Sequence, residues 1–378
     1  MDNVTHSLVG LAAAKAGLER VSPYATATCI IAANAPDADL LGMLGGRWFY
    51  FHNHRGISHS FVGVIVLSLL IPTLFYLYDC WQAQRQGRPV GVRWGPLFGV
   101  ALLLTASHPF LDWTNNYGVR PLLPWDGQWF YGDLTFVVDP FFWLALGVAG
   151  FVATARTKWR VVPWAVWWLI AFGLLWAAPR LRNVELPAVW PWLWLAGGAL
   201  AVGLRYGQVR GARVACVALL VLAAYLGLLW GLQRRAEMLA QTRAQQIAAS
   251  NGETVTEVAA MPMPGNPVRW LCLATTERAT YRFEVSLIQQ AAMRPPERFA
   301  QNTTEESVTV QQAYTQDERA RIWRNFARFP AARVVGSCVT GTLVQLADLR
   351  YTEPGAGNGS FGLTVPVACP PTETEISR

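Results

Sequence analysis

The sequence GISHSFVGVIVLSLLIPTLFYLY, residues 56–78, contains no Asp, Glu, Lys or Arg and is long enough to cross a bilayer as a helix. Five later stretches have the same character, and Asp139 is the one formal charge within the set. They are residues 94–111, 134–155, 161–179, 186–204 and 214–233. The sequence therefore predicts a mainly α-helical, polytopic transmembrane bundle with six long spans.

The overall composition agrees with this prediction. Hydrophobic residues make up 53% of the chain and charged residues 15%, whereas a soluble domain carries about 25% charged residues. The abundance of apolar side chains excludes a largely disordered protein. The net charge of +7 comes from basic residues grouped between the apolar stretches, as orientation signals are. We therefore expect the lipid bilayer as a partner and no nucleic acid.

The basic residues alternate between successive loops. The loops after the first, third and fifth spans each carry three Arg or Lys residues, whereas the loop after the second carries Arg120 alone. The positive-inside rule assigns the three basic loops to the cytoplasm. The sequence thus predicts a multi-pass protein of the bacterial inner membrane, with the loop after residue 111 and the C-terminal region on the periplasmic face.

Two short helices are predicted before the first span, at Thr5–Glu19 with Thr5 as its cap, and at Ser22–Asn34. We interpret them as a short helical hairpin whose basic turn faces inward, which returns His6 and Asp37 to the outer side. A signal peptide is the alternative. It fits poorly, because charged residues interrupt any apolar core of such a peptide.

The composition changes after Gln233. The predicted domains are a transmembrane domain at 1–233, a connector helix at 234–253 and a small extramembrane α+β domain at 254–378. Strands are expected at 269–275, 281–288, 307–314, 333–339 and 343–349, with a helix at 316–329.

Six cysteines occur in the chain, with no CxxC spacing, so zinc-finger and thioredoxin-like sites have no support. Cys272, Cys338 and Cys369 lie in the predicted C-terminal domain. A periplasmic location would permit one disulfide among these three cysteines, and the sequence does not decide whether it forms.

All five histidines lie in the first 108 residues, and four segments concentrate His and Asp. These segments are Thr5–Ser7, Pro36–Asp39, His52–Ser60 and Ser107–Asp112. Taken singly, each segment can also be explained without a metal ion. His108 and Asp112, four residues apart, can share one helix face or can be an interfacial histidine and a loop aspartate. Asp37 and Asp39 can converge on a cation or lie in a solvated turn. His52 is expected to be a surface residue.

Considered together, the segments predict a metal centre. The orientation deduced from Arg and Lys alone places seven His and Asp side chains of these segments at one membrane face. Seven such ligands suffice for one or two metal ions. The predicted ligands are His6, Asp37, Asp39, His54, His59, His108 and Asp112. Nitrogen and oxygen ligands without thiolate indicate zinc, with manganese or iron as alternatives.

Three aspartates could have further roles. Asp39 or Asp112 could act as a catalytic base if it is not fully occupied as a ligand. Asp139 could orient a ligand histidine, or it could be an interfacial residue held by Arg120.

At these residues the sequence resembles the YdjM-like family of membrane-bound, metal-dependent hydrolases. The resemblance covers about residues 1–180. It rests on MDxxTHSLxG at 1–10, PDxD at 36–39, HRGxxHS at 54–60 and HxxxDxxxNYG at 108–118. It implies an inner-membrane hydrolase and leaves the substrate open. The order of the motifs is also similar to that of zinc phospholipase C and the single-strand-specific zinc nucleases, but their second HxxxD is missing here.

The function predicted from the sequence is metal-dependent hydrolysis of a phosphoester, either of a lipid or of a small membrane-linked metabolite. Metal-activated water would be the nucleophile. The alternative is a non-catalytic membrane scaffold or metal-binding sensor with an external binding domain. The sequence does not indicate a protein partner for the C-terminal domain.

Overall fold

The computed structural model describes residues 1–181, 185–288, 294–337, 341–356 and 361–368. The chain divides into two compact units, each formed by several segments. The first unit comprises Met1–Leu41, Asn53–Arg234 and Met261–Trp270. The second unit comprises Gly42–His52, Arg235–Ala260 and Leu271–Arg378.

The first unit begins with two short helices, α1 (Asn3–Ala16) and α2 (Ala25–Asn34), joined by a turn of 3-10 helix. The cap of α1 is Asp2, whose side chain accepts a hydrogen bond from the Thr5 amide, so the predicted cap at Thr5 is wrong. The two helices pack closely. A Cβ atom at Gly10 would lie 2.6 Å from the Cys29 carbonyl oxygen, so only glycine fits there.

Four helices are long and apolar enough to cross a membrane within the described residues of the chain. They are α4 (Phe61–Gln86), α5 (Trp94–Trp113), α7 (Lys158–Leu181) and α9 (Gly211–Ser250). A short helix, α3 (Arg47–Asn53), precedes them. The helix α9 continues without a break through most of the predicted connector.

Two of the predicted spans correspond to shorter helices, α6 (Pro140–Thr154) and α8 (Trp190–Tyr206). The predicted stretch 134–155 is shortened at its start. Asp139 is the N-cap of α6 and Pro140 its first residue, an arrangement that begins a helix. The transmembrane helical class is confirmed, with four helices among the described residues long and apolar enough to span; the predicted count of six spans is not confirmed.

The C-terminal region of the chain contains a four-stranded sheet of order β1-β2-β3-β4 and a three-stranded sheet of order β5-β6-β7. The first has β1 (Val255–Met263), β2 (Asn266–Thr276), β3 (Ala279–Ser286) and β4 (Glu297–Ala300). The second is antiparallel and has β5 (Pro330–Ser337), β6 (Gly341–Asp348) and β7 (Gly362–Val367). A small sheet region is thus confirmed.

The strand predicted at residues 307–314 is wrong, because these residues lie in α10 (Thr304–Gln316). A capping box starts this helix: the Thr303 side chain accepts from the Glu306 amide, and the Glu306 side chain accepts from the Thr303 amide. The next helix, α11 (Glu318–Phe326), replaces the longer helix predicted at 316–329.

The hydrophobic core of the second unit joins α10 and α11 to the β5-β6-β7 sheet, through Val310, Trp323 and Val344 among others. Residues from far earlier in the chain share this unit. Trp48 packs against this core, and the Phe51 ring lies 4.9 Å from the Phe326 ring.

Cys272 is buried. Cys338 and Cys369 lie outside the described residues, so the disulfide left open by the sequence is not tested.

Candidate metal centre

Four separate segments of the first unit bring His and Asp side chains together. The helix α1 carries His6, and a stretch of 3-10 helix at Ala35–Gly45 carries Asp37 and Asp39. A second, single-turn 3-10 helix, Ile57–His59, ends at His59. The helix α5 contributes His108 and Asp112, which lie one turn apart on a shared face as predicted; the helix continues through Pro109 between them.

Four ligand atoms lie at nearly equal separations. Asp37 Oδ1 is 3.4 Å from both His59 Nε2 and His108 Nε2. Asp112 Oδ2 is 3.3 Å from His59 Nε2 and 3.5 Å from His108 Nε2. The two imidazole nitrogens are 3.2 Å apart.

These separations match a tetrahedral metal site. Ligands placed 2.0–2.1 Å from a tetrahedral zinc ion are about 3.3–3.4 Å from one another. All four residues are buried, and their ligand atoms fall within 4.8 Å of one another. The Asp112 Oδ2 atom makes no hydrogen bond of acceptable geometry within the described chain, despite its burial. The residues present therefore fit a divalent cation, whose binding would satisfy this atom.

A second group shares one aspartate with the first. Asp37, Asp39 and His54 also have ligand atoms within 4.8 Å of one another. His54 Nδ1 lies 3.1 Å from Asp39 Oδ1, and the Arg55 amide donates to Asp39 Oδ2 at 2.9 Å. This group is less buried than the first and has three protein ligands.

His6 lies beside the four-atom group. Its ring stacks on that of His108 with centroids 3.7 Å apart, and its Nε2 atom is 3.5 Å from Asp112 Oδ1. The structure thus brings six of the seven predicted ligands into the two groups and places His6 at their edge. His52 is exposed and belongs to the second unit.

Arg55 is a site residue that the sequence reasoning did not select. Its guanidinium is buried and donates to Asp112 Oδ1 at 3.0 Å, and also to Asn115 Oδ1 and the Gly118 carbonyl. The Met1 amino group contacts the same Asp112 oxygen. The Arg55 guanidinium thus occupies Asp112 Oδ1 and leaves Oδ2 directed at the histidines. The signal was present in the sequence, because Arg55 belongs to the HRGxxHS motif.

The electrostatics favour the protonation states that metal binding requires. Burial, with the adjacent His108, lowers the pKa of His59 to about 3. Burial and the same neighbour also lower the pKa of His6. Burial alone would raise the pKa of Asp37, but hydrogen bonds from His108 and His59 outweigh it and hold the pKa well below its usual range. Neutral imidazole and ionised carboxylate are the forms that bind a metal.

Asp139 caps α6. Its Oδ1 accepts from the Phe141 amide at 2.9 Å, and its Oδ2 accepts from the Tyr225 hydroxyl at 3.0 Å. These two partners differ from both predicted ones, a ligand histidine and Arg120. Burial raises the pKa of Asp139 from 3.8 to about 6. A role in orienting the metal ligands remains a prediction.

The cap contact predicts different effects for two substitutions at Asp139. We expect Asp139→Ala to lower the free energy of unfolding by about 1 kcal/mol through loss of the cap. Asp139→Asn should be at least as stable as the parent at pH 7.5, because asparagine also caps and avoids burying a charge. Because the pKa of Asp139 is higher in the folded protein than in the unfolded protein, its protonated form stabilises the fold. This contribution is complete below about pH 4 and is lost as the pH rises through about 6.

Thermal unfolding in detergent between pH 4 and 7.5 checks both expectations. An alanine variant as stable as the asparagine variant would show that the cap contributes nothing. The stability of the asparagine variant should lack the pH dependence due to Asp139.

The fold and site define a helical membrane protein with a buried His/Asp cluster able to hold a metal ion. Residues 1–184 match the model of a family described as YdjM inner membrane protein. This match confirms, over these residues, the resemblance drawn from the motifs.

A relative is the "Uncharacterized protein YfhP" of Bacillus subtilis (strain 168), which is 30% identical over 155 residues. The aligned region covers 38% of this chain and 44% of that protein, so the chain spans less than half the length of the relative. No solved structure matches the chain.

Proposed function

We propose that the chain is a membrane-bound, metal-dependent hydrolase that acts on a phosphoester of a lipid or membrane-linked metabolite. The supporting observation is the near-tetrahedral set of Asp37, His59, His108 and Asp112 atoms, separated by 3.2–3.5 Å in the five pairs given above. Zinc fits this donor set, and manganese or iron are the alternatives.

The second group favours catalysis over a purely structural ion. A four-ligand tetrahedral site is closed, whereas catalytic sites have three protein ligands and one open position. Asp37, Asp39 and His54 supply three ligands, and Asp37 belongs to both groups. Two divalent ions held this way would supply activated water and neutralise charge on a phosphoryl oxygen.

Side chains of the protein would provide the catalytic base and position the proposed ligands. Asp39 is the better candidate for the base, because it is partly exposed and binding an ion through one oxygen would leave its second carboxylate oxygen to accept a proton. Asp112 is less suited, because one of its oxygens already accepts a hydrogen bond from the buried Arg55 guanidinium. Arg55 would keep Asp112 oriented toward the histidines and offset the negative charge of the carboxylates.

The second candidate is a non-catalytic scaffold or sensor that binds one ion in the closed four-ligand group. The two candidates differ in whether a bound ion has an open coordination position. Purified protein should be analysed for metal, and then assayed against matched phosphoesters and carboxylic esters. Bound metal with phosphoester turnover supports the hydrolase, and bound metal without turnover of any ester supports the scaffold or sensor.

Metal removal should have two measurable effects. Treatment with a chelator is expected to abolish hydrolysis and to lower the unfolding temperature, because an ion bound only by the folded state stabilises it by about 2.7 kcal/mol at 100 times its dissociation constant. Adding back zinc, manganese or iron singly should restore both and identify the ion. Unchanged unfolding temperature after verified metal removal would contradict a buried site.

We further propose that α6 and α8 also cross the bilayer, which gives six spans and puts the metal centre and the C-terminal domain on the periplasmic face. The basic loops at 85–93, 156–160 and 205–213 support this orientation. The bounds 1–233, 234–253 and 254–378 for the three domains belong to the same proposal.

Cysteine accessibility tests the orientation. Arg88→Cys and Lys158→Cys should react with an impermeant reagent only after the cytoplasmic side is opened, because both lie in basic loops. Ser307→Cys should react from the periplasmic side in intact spheroplasts. Labelling of Ser307→Cys only from the cytoplasmic side would reverse the orientation. The native cysteines should be replaced first, and the cysteine-free protein should serve as the control.

A further inference from the structure

A cleft between α1 and α7 adjoins the candidate metal centre. Its volume is about 390 Å³, within the range of about 300–1,000 Å³ that small-molecule sites occupy. The helix α1 lines it with Asn3, Val4, Ser7 and Leu8, and α7 lines it with Trp164 and Trp167 among others. The same helix α1 places His6 at the centre, so one short helix borders both the cleft and the centre.

The polar end of the cleft reaches the metal centre through Asn3. Its side-chain nitrogen donates to Asp37 Oδ2 at 2.7 Å, and Asp37 is the residue common to both ligand groups. Ser7 is a second polar residue of the cleft lining, and its hydroxyl donates to Asn34 Oδ1 at 3.3 Å. The polar group of a molecule in the cleft would therefore be separated from a proposed ligand by a single side chain.

The rest of the cleft is apolar and lies on a membrane-spanning helix. Val4, Leu8 and the two tryptophan rings form this apolar region, and α7 is one of the four full-length spans. The indole N–H of Trp164 already donates to Thr154 Oγ1 at 2.8 Å. This hydrogen bond leaves the indole without a further donor for a polar ligand.

The two rings are held against α6. A Cβ atom at Gly150 would lie 2.4 Å from the Trp164 ring, and one at Gly147 would lie 2.5 Å from the Trp167 ring. Such close approach is possible only because both residues are glycines. The apolar wall of the cleft is thus fixed by packing.

We propose that the cleft binds the hydrocarbon tail of the substrate, which makes the substrate an amphiphilic lipid phosphoester and not a soluble one. This inference rests on the proposed hydrolase function, and it selects between the two substrate classes left open there. The polar group lies at the Asn3 end, beside the metal centre, and the tail lies between α1 and α7, where hydrocarbon is the surrounding solvent.

The first test compares two phosphoesters with the same head group, one with a long acyl chain and one with a short chain. Val4→Trp should fill the cleft and lower the ratio of kcat/KM for the long-chain over the short-chain substrate by about tenfold or more, mainly through KM. Val66→Trp is the matched control, because Val66 is an exposed residue of α4, which does not line the cleft. Metal content, measured for each variant, shows whether the centre is intact.

An unchanged ratio in a metal-replete Val4→Trp variant would overturn the proposal, as would an equal fall in Val66→Trp. A second test does not depend on turnover. A lipid phosphoester with a photoreactive group on its tail should crosslink to peptides of α1 and α7, and less so in Val4→Trp. Crosslinks spread equally over α4 and α5 would show ordinary surrounding lipid and overturn the proposal. If the parent protein hydrolyses neither substrate, the hydrolase function fails, and the crosslinks alone decide the cleft.

Discussion

His59→Ala and His108→Ala are each expected to lower metal affinity by more than about 100-fold and to abolish hydrolysis. Loss of a mere outer partner of a metal ligand already lowers affinity by about 10–100-fold. Here each substitution removes a ligand atom that lies 3.2–3.5 Å from its neighbours in the tetrahedral set. The remaining carboxylates of Asp37 and Asp112 would then face each other with less positive charge between them, which disfavours their joint ionisation.

Metal content of the purified variants, measured after gel filtration in detergent, is the primary readout. His52→Ala is the matched control, since His52 is exposed and belongs to the other unit, and it should retain metal and activity. Asp112→Asn should behave like the two ligand variants, because it keeps the size of the side chain and removes its charge. Full metal content in well-folded His59→Ala and His108→Ala would show that these histidines do not share an ion.

Arg55→Ala is expected to lower the free energy of unfolding by about 3–5 kcal/mol and to reduce bound metal. Removing one partner of a buried ion pair has an effect of this size, because the other charge stays buried without compensation. The Arg55 guanidinium bridges Asp112, Asn115 and the Gly118 carbonyl, so its loss would also free the loop after α5. Arg55→Lys should recover little, since one ammonium cannot replace a planar group with several fixed donors.

Unfolding in detergent, followed by circular dichroism, measures the expected loss of stability. Arg20→Ala is a suitable control, because Arg20 is an exposed basic residue of the same unit and should change stability by no more than about 0.5 kcal/mol. A fall in stability of Arg55→Ala that is no larger than that of Arg20→Ala would contradict the structural role given to this side chain.

The sequence predicted the membrane-spanning class because its long uncharged apolar runs suit the bilayer core, where a helix pairs all of its own backbone polar groups. It overestimated the length of the third span, since hydropathy alone does not register that Asp139 and Pro140 begin a helix. The strand predicted at 307–314 failed for a related reason. Its apolar residues alternate locally, but the capping box of Thr303 and Glu306 was the stronger signal and was readable from the sequence.

For the site, four-residue spacing on one helix was enough to pair His108 with Asp112. The charge pattern of the loops suggested which segments meet at one membrane face. Neither pattern could show which side chains share an ion, because that depends on how α1, α2 and α5 pack. His6, for example, stacks on His108 outside the four-atom group. A search for groups that bind cations does not find Arg55, because its guanidinium is itself a cation and acts by contacting the Asp112 carboxylate.

The segment Gly42–His52 lies in the chain between Asp39 and His54, yet it packs within the second unit. Trp48 in this segment packs against a core of residues that all lie after residue 300, and the Phe51 ring contacts the Phe326 ring. A protein shortened to end near Ser250 would keep every proposed ligand and still expose two large aromatic rings in the loop that joins them. The minimal metal-binding fragment is for this reason longer than the positions of its ligands indicate, and domain dissection should retain the C-terminal sheet.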